Sequence, residues 1–279
     1  MPAFKLYSAI AKFDPNTTKY DADNALVLAD AARIAYLDEA EARAVVTGQW
    51  KLPNFAYVDN RKTATQAIVM GNRDFVIVAF RGTQPKALKD WITDAKFAFQ
   101  RKGPVGEVHR GFWDAFDSVR DEVQGHIDRF RDNAQSLWFT GHSLGAALAV
   151  LAVAQLRLRH DRPVNGLYTF GQPRVGDADF CAAFNNDFGT RTFRFVNNND
   201  IVTRVPPRTK FYRDVGRVLY FDASGNLRDD ISWWNKFLET VKGLEADFGK
   251  FGPDNIKDHS SDGYAELLSR NMTVQPNWG

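Results

Sequence analysis

Residues 136–154 read SLWFTGHSLGAALAVLAVA, and the fold is decided there. The run from Ser136 to Thr140 is short and mostly apolar, which predicts a strand ending at Gly141. From Leu144 to Leu158 the chain is apolar almost all round, which predicts a buried helix. Between the two stands Gly141-His142-Ser143-Leu144-Gly145, a G-x-S-x-G pattern. The letters alone carry little, because glycine and serine are common. The setting carries more. A sharp strand-to-helix turn lifts the serine hydroxyl above the sheet, and flanking glycines remove side chains that would clash. The helix N-terminus beside it turns free N–H groups toward any negative charge that develops. Ser143 is therefore the candidate nucleophile.

Working outward, Asp21 to Tyr36 repeats small apolar residues at helical spacing, a helix that packs closely on its neighbours. Asp21-Ala22-Asp23-Asn24 lacks the glycine and distal glutamate of a calcium loop and reads as that helix's start. Thr65 to Met70 and Asp74 to Phe80 read as strands joined by the turn Gly71-Asn72. The second is apolar on both faces, as a central strand under helices must be. Gly111 to Arg131 is helical in pattern, and Gly166 to Phe170 and Thr192 to Val196 are further strands. Strands alternating with helices predict an α/β fold with a mostly parallel central sheet and helices on both faces. No repeat or linker interrupts residues 1–279, so one domain is expected. Chemistry in such sheets sits at the carboxyl ends of the strands.

A nucleophilic serine needs a base and an acid, which follow it in the order acid, then histidine, in strand–turn–helix sites of this kind. Only His160 and His259 follow Ser143. His160 would lie about 25 Å along the same helix at 1.5 Å per residue, out of reach. His259 remains. For the acid, Asp200 comes soon after the strand Thr192 to Val196 and is the first choice, with Asp177 the second. His109 and His142 precede the acid and read as structural or pocket-lining residues.

Composition excludes several classes of function. The chain has 279 residues, 44% hydrophobic and 25% charged, with a net charge of only +2. That balance argues against nucleic acid or an anionic membrane as partner. The basic stretch Arg157 to Arg162 follows the apolar segment and reads as a solvated helix end. A single cysteine, Cys181, rules out an intrachain disulfide and a cysteine metal cage. Met1-Pro2-Ala3-Phe4-Lys5 shows no secretory signal, and no apolar run reaches the ~18 residues needed to span a bilayer. Both features favour the cytoplasm, although a secreted chain stripped of its leader would read the same. The sequence does not speak to oligomeric state.

Six segments together resemble the class 3 lipase family, which includes the fungal triacylglycerol lipases. They are Phe80-Arg81-Gly82-Thr83, Asp90-Trp91-Ile92-Thr93-Asp94, Val108-His109-Arg110-Gly111-Phe112, the Ser143 pattern, Tyr168 to Gly176, and Asn199-Asp200-Ile201-Val202. The resemblance implies an α/β-hydrolase fold and the roles reached above: Ser143 nucleophile, His259 base, Asp200 orienting acid. It also implies an oxyanion hole from the backbone N–H groups of Thr83 and Leu144, with Asp94 anchoring the Thr83 hydroxyl. Trp91, Phe97, Val202 and Pro206 fall where family members line the acyl groove. Gln84 to Ile92 presents Leu88, Trp91 and Ile92 on one face and resembles the family's amphipathic lid helix, which opens at a lipid–water interface.

The expected reaction is hydrolysis of a lipid acyl ester through an acyl-enzyme, with no metal or cofactor. A carboxylesterase, feruloyl esterase or phospholipase would use the same scaffold, and a silent binding protein would retain only its shape. A first departure from the secreted fungal lipases is that no second cysteine and no secretory signal are visible in the sequence, which reads as a bacterial or intracellular branch. A second departure is segment 232–251, which carries an amphipathic stripe (Trp234, Phe237, Leu238, Val241, Leu244, Phe248) that matches none of these motifs and reads as core packing, with a second flap or a membrane- or dimer-contacting helix as the alternative.

Overall fold

Phe75–Phe80 is buried at all six positions and forms the strand on which the rest is arranged. The computed structural model describes residues 4–83, 98–100, 105–132, 135–198, 200–229, 258–276 and 278. Among them, eight strands form one sheet: β1 (Asn54–Asn60), β2 (Thr65–Gly71), β3 (Phe75–Phe80), β4 (Ser136–His142), β5 (Gly166–Phe170), β6 (Thr192–Asn197), β7 (Arg217–Phe221) and β8 (Leu227–Arg228). Their order in space follows their order in the chain. β1, β2 and β3 pair antiparallel. From β3 to β7 every pairing is parallel, and β8 returns antiparallel.

The α-helices among the described residues are α1 (Ala22–Ile34), α2 (Glu39–Arg43), α3 (Arg110–Phe130), α4 (Leu144–Ala154), α5 (Ala178–Phe188) and α6 (Ser261–Arg270). Alternate strand residues divide the core as the two-residue period demands. Ile77, Trp138, Tyr168, Phe170, Phe193 and Phe195 pack with α1 and α6 on one face. Val76, Val78, Phe80, Leu137, Phe139 and Leu167 pack with α3, α4 and α5 on the other. The expectation of a mostly parallel sheet covered on both faces is met. Asp21 caps α1 by accepting the Asn24 N–H at 2.8 Å, so this acidic run is a helix start.

Two details differ from the sequence reading. The buried helix expected to reach Leu158 ends as α-helix at Ala154, and a wider π-turn takes over from Gln155 to Arg159. Strands β1, β7 and β8 at the sheet's two sides were not apparent. β8 has two residues and β7 begins with an arginine, too short and too polar to stand out by pattern. The segments 84–92 and 232–251 lie outside the described residues, as do Trp91, Asp94 and Phe97. No described helix is long and apolar enough to cross a membrane.

The parallel register fixes where the loops emerge. Phe80 lies opposite Gly141, His142 opposite Phe170, and Phe170 opposite Phe195. The carboxyl ends of β3, β4, β5 and β6 therefore finish on one rim, and Thr83, Ser143, Gly171 and Asp200 follow those ends directly.

Candidate active site

Ser143 sits between β4 and α4 with φ 59° and ψ −130°, a backbone conformation that costs a non-glycine residue on the order of 1–3 kcal/mol. Its N–H donates to the Phe170 carbonyl at 3.0 Å, which ties the turn to β5. Behind it α4 presses on β3: a Cβ at Gly145 would come within 2.1 Å of the Phe80 carbonyl oxygen. The turn needs glycine there for space. The outcome is a serine that is 1% exposed and whose buried hydroxyl has no hydrogen-bond partner among the described residues.

His259 lies immediately before α6, which Ser260 caps. Its Nδ1 faces both carboxylate oxygens of Asp200, at 2.9 and 2.8 Å. A carboxylate can only accept, so Nδ1 carries a proton and donates to Asp200. The ring's Nε2 is buried and, like the Ser143 hydroxyl, has no partner among the described residues. The sequence selected Ser143, His259 and Asp200, and the fold brings this His–Asp pair to the rim that carries the serine. Asp177, the alternative acid, is elsewhere. Its carboxylate caps α5 by accepting the Phe180 N–H at 2.8 Å.

Asp200 is fully buried and receives two further donors. The Val202 N–H reaches Oδ1 at 2.9 Å and the Tyr264 hydroxyl reaches Oδ2 at 2.6 Å. Burial, followed by the neighbouring Asp200, pushes the Tyr264 phenol well above its ordinary value, so it remains a donor. Val202, assigned to the acyl groove by resemblance, is fully buried, and its amide serves the carboxylate. Pro206 is also buried, with its carbonyl accepting from Arg174 at 3.0 Å.

The sequence reading gave His142 no partner. The structure gives it two. Its Nε2 stands 2.6 Å from the His259 carbonyl and its Nδ1 stands 2.8 Å from the Tyr36 hydroxyl. Burial, then the adjacent His259, holds its imidazole well below the ordinary value, so it is neutral. The carbonyl can only accept, which puts the proton on Nε2 and makes Tyr36 the donor to Nδ1. A chain Tyr36–His142–His259 thus fixes the backbone of the candidate base. His109 is structural: its Nδ1 accepts the Phe112 N–H at 3.3 Å and caps α3.

On the other side of the serine, Gly82 approaches so closely that a Cβ there would lie 3.0 Å from the Ser143 Cβ. Thr83 follows it. Thr83 and Leu144 both line a cavity of about 340 Å³ with Arg81, Gln66 and Leu148. The two residues proposed to offer N–H groups to an oxyanion thus share one cavity. No cluster of histidine, cysteine and acidic residues suited to a metal occurs among the described residues.

A serine in a strained strand-to-helix turn, with a buried His–Asp pair at the rim of a parallel sheet, defines an α/β-hydrolase. A family model described as lipase (class 3) matches residues 77–210. The chain is 28% identical over 251 residues to triacylglycerol lipase OBL1 of Arabidopsis thaliana, covering 70% of this chain and 48% of the relative. It is 29% identical over 311 aligned positions to phospholipase A1-II 4 of Oryza sativa, covering 88% and 76%. The solved structure of Rhizomucor miehei triacylglyceride lipase superposes with a TM-score of 0.60 at 26% identity, covering 72% of this chain and 80% of that one. The segment matched by the lipase (class 3) model carries Ser143 and Asp200, and these relatives support the class 3 lipase family. It spans about half the length of the Arabidopsis relative.

Proposed function

We propose that this protein is a serine carboxylic-ester hydrolase, a triacylglycerol lipase acting through an acyl-enzyme on Ser143 within one α/β-hydrolase domain. The observation that carries the reading is a complementary pair of orphans: the Ser143 hydroxyl and His259 Nε2, both buried, both without partners among the described residues. In the reaction Ser143 Oγ attacks the ester carbonyl carbon while His259 Nε2 takes its proton. Asp200 stabilises the imidazolium that results. The tetrahedral oxyanion is met by the Thr83 and Leu144 N–H groups. The alcohol departs with the proton from His259, and water activated by the same nitrogen releases the acid. Trp91, Phe97, Val202 and Pro206 form the acyl groove in this proposal, Asp94 anchors Thr83, and residues 84–92 form the lid through which the protein meets a lipid–water interface.

Replacing Ser143 by Ala is expected to leave the fold intact and to lower p-nitrophenyl butyrate turnover by about 10⁴-fold or more. It should also abolish labelling by a fluorophosphonate. Residual turnover within about tenfold of wild type would remove Ser143 from this role. The similarity to a rice phospholipase along most of both chains supports a second substrate class, phospholipid acyl esters, for the same machinery. A panel of p-nitrophenyl esters of rising chain length, a triacylglycerol emulsion and phosphatidylcholine vesicles separates lipase, phospholipase and soluble carboxylesterase. A rate that climbs once substrate passes its solubility limit would support the lid, and smooth saturation through that limit would remove it.

A further inference from the structure

A second cavity, of about 580 Å³, opens at the opposite end of the sheet from Ser143. Phe193 in its wall stands near the start of β6, and Asp200 lies just past the end of that strand. At about 3.3 Å per residue the cavity is roughly 20 Å from the candidate triad. Its polar lining is cationic: Lys19, Arg191 and Arg217, with the hydroxyls of Thr18 and Thr190. No carboxylate of a described residue lines it, and none of the three cations forms an ion pair among the described residues. The nearest acid in sequence, Asp21, spends its carboxylate on the α1 cap.

The cavity also has a firm wall. Trp278 stacks on Phe193 with ring centres 5.4 Å apart and meets Tyr20 edge-on at 6.0 Å. The Arg217 guanidinium lies over the Trp278 ring at 4.9 Å, a contact that holds it in place while leaving its N–H groups unspent. Arg191 donates to the Val164 carbonyl at 3.4 Å. Three cations around one cavity, with no counter-charge among the described residues, suit a multiply charged anion. A phosphate monoester carries about −1.5 to −2 at neutral pH and offers three acceptor oxygens. A monocarboxylate would leave most of the charge unanswered. The volume falls within the ~300–1,000 Å³ typical of small-molecule sites, so there is room for an organic group beside the phosphate.

We propose that this cavity binds a soluble phosphate monoester at a site separate from the hydrolytic centre. Its position bears on the source of the phosphate. If the rim carrying Ser143 faces a lipid surface, the opposite end of the sheet faces the aqueous phase, so the ligand comes from solution and not from a headgroup of the same surface.

The test uses phenyl phosphate as probe, with phenol and benzoate as controls, in isothermal titration calorimetry at low salt. One site per chain for phenyl phosphate is expected, with neither control binding comparably. The double variant Arg191→Gln with Arg217→Gln is expected to weaken binding at least about tenfold, the loss of roughly one charge-assisted contact or more. The same variant should hydrolyse p-nitrophenyl butyrate at the wild-type rate, which shows that it is folded. Lys19→Gln serves as an independent second variant with a smaller loss. Absence of saturable phenyl phosphate binding, or equal binding by wild type and double variant, would overturn the proposal. So would a purely surface role, seen as cosedimentation with phosphatidylcholine vesicles containing phosphatidic acid that the double variant loses, while soluble phenyl phosphate does not bind.

Discussion

Two aspartates, one fully buried and one mostly buried, sit on the same connection between β6 and β7, and the protein treats them oppositely. Asp214 is surrounded by full positive charge: Arg208 at 2.6 Å, Arg174 at 3.3 Å and Arg194 at 3.5 Å. Burial alone would raise its carboxyl. Arg174, Arg194 and Arg208 outweigh that and hold it well below the usual carboxylate range. Asp200 receives dipoles instead, from the Tyr264 hydroxyl, the Val202 amide and the His259 Nδ1–H. Its charge is satisfied but not cancelled. An ion already neutralised has little left to offer a cation that appears later, so the difference separates a carboxylate that holds structure together from one available to an imidazolium.

This contrast makes a strong prediction. Asp200→Asn should lower kcat by on the order of 10⁴, because the imidazole loses both its orientation and its counter-charge, while the thermal midpoint changes little. Asp214→Asn should do the reverse. Removing it leaves buried cations uncompensated and should cost about 3–5 kcal/mol in denaturant unfolding, with kcat of the folded fraction within about an order of magnitude of wild type. Exchange of these two signatures would show that the roles are misassigned.

Acid sensitivity sharpens the comparison. A carboxylate whose folded value is depressed lends stability above the unfolded value near 3.9 and loses it only below, so Asp214 contributes no loss between pH 6.5 and 4.5. Buried His109 does. Burial lowers it from 6.5 to about 4, so the unfolded chain takes up a proton in that window and the native chain does not. Unfolding free energy is expected to fall by about 2.5 kcal/mol from this residue between pH 7 and 4.5, with a further loss of the same sign from His142. His109→Gln should flatten that part of the profile, measured by urea titration at several pH values. The smallest effect concerns Tyr264. Tyr264→Phe removes one of the three donors to Asp200 and should lower kcat by about tenfold with KM nearly unchanged.

How much of this was legible in the sequence depends on the kind of signal. Ser143 stood out because its turn is a local event: strand, glycines and helix occupy adjacent positions, and each leaves a mark. His259 and Asp200 could be reached by chain order. Tyr36, His142 as a tether and Tyr264 could not. Their contacts join residues 106, 117 and 64 positions apart, and a buried tyrosine that caps a carboxylate looks in sequence like any core aromatic. The central sheet was readable because β3 is buried on both faces. The side strands were not, since a two-residue strand such as β8 is defined by its neighbour and not by its own pattern.

Gly171 has a consequence for anyone who would engineer this molecule. Its φ is +59°, and a Cβ there would fall 2.7 Å from His259 Cε1 and 2.8 Å from Asp200 Oδ2. In a randomised library this codon is close to an on–off switch. Even alanine has to displace the imidazole or the carboxylate to be accommodated, so survivors of a fold-based screen and survivors of an activity-based screen should part company at this position. Recombination with a homologue is safest when its crossover points keep Gly171, Asp200 and His259 in one inherited block.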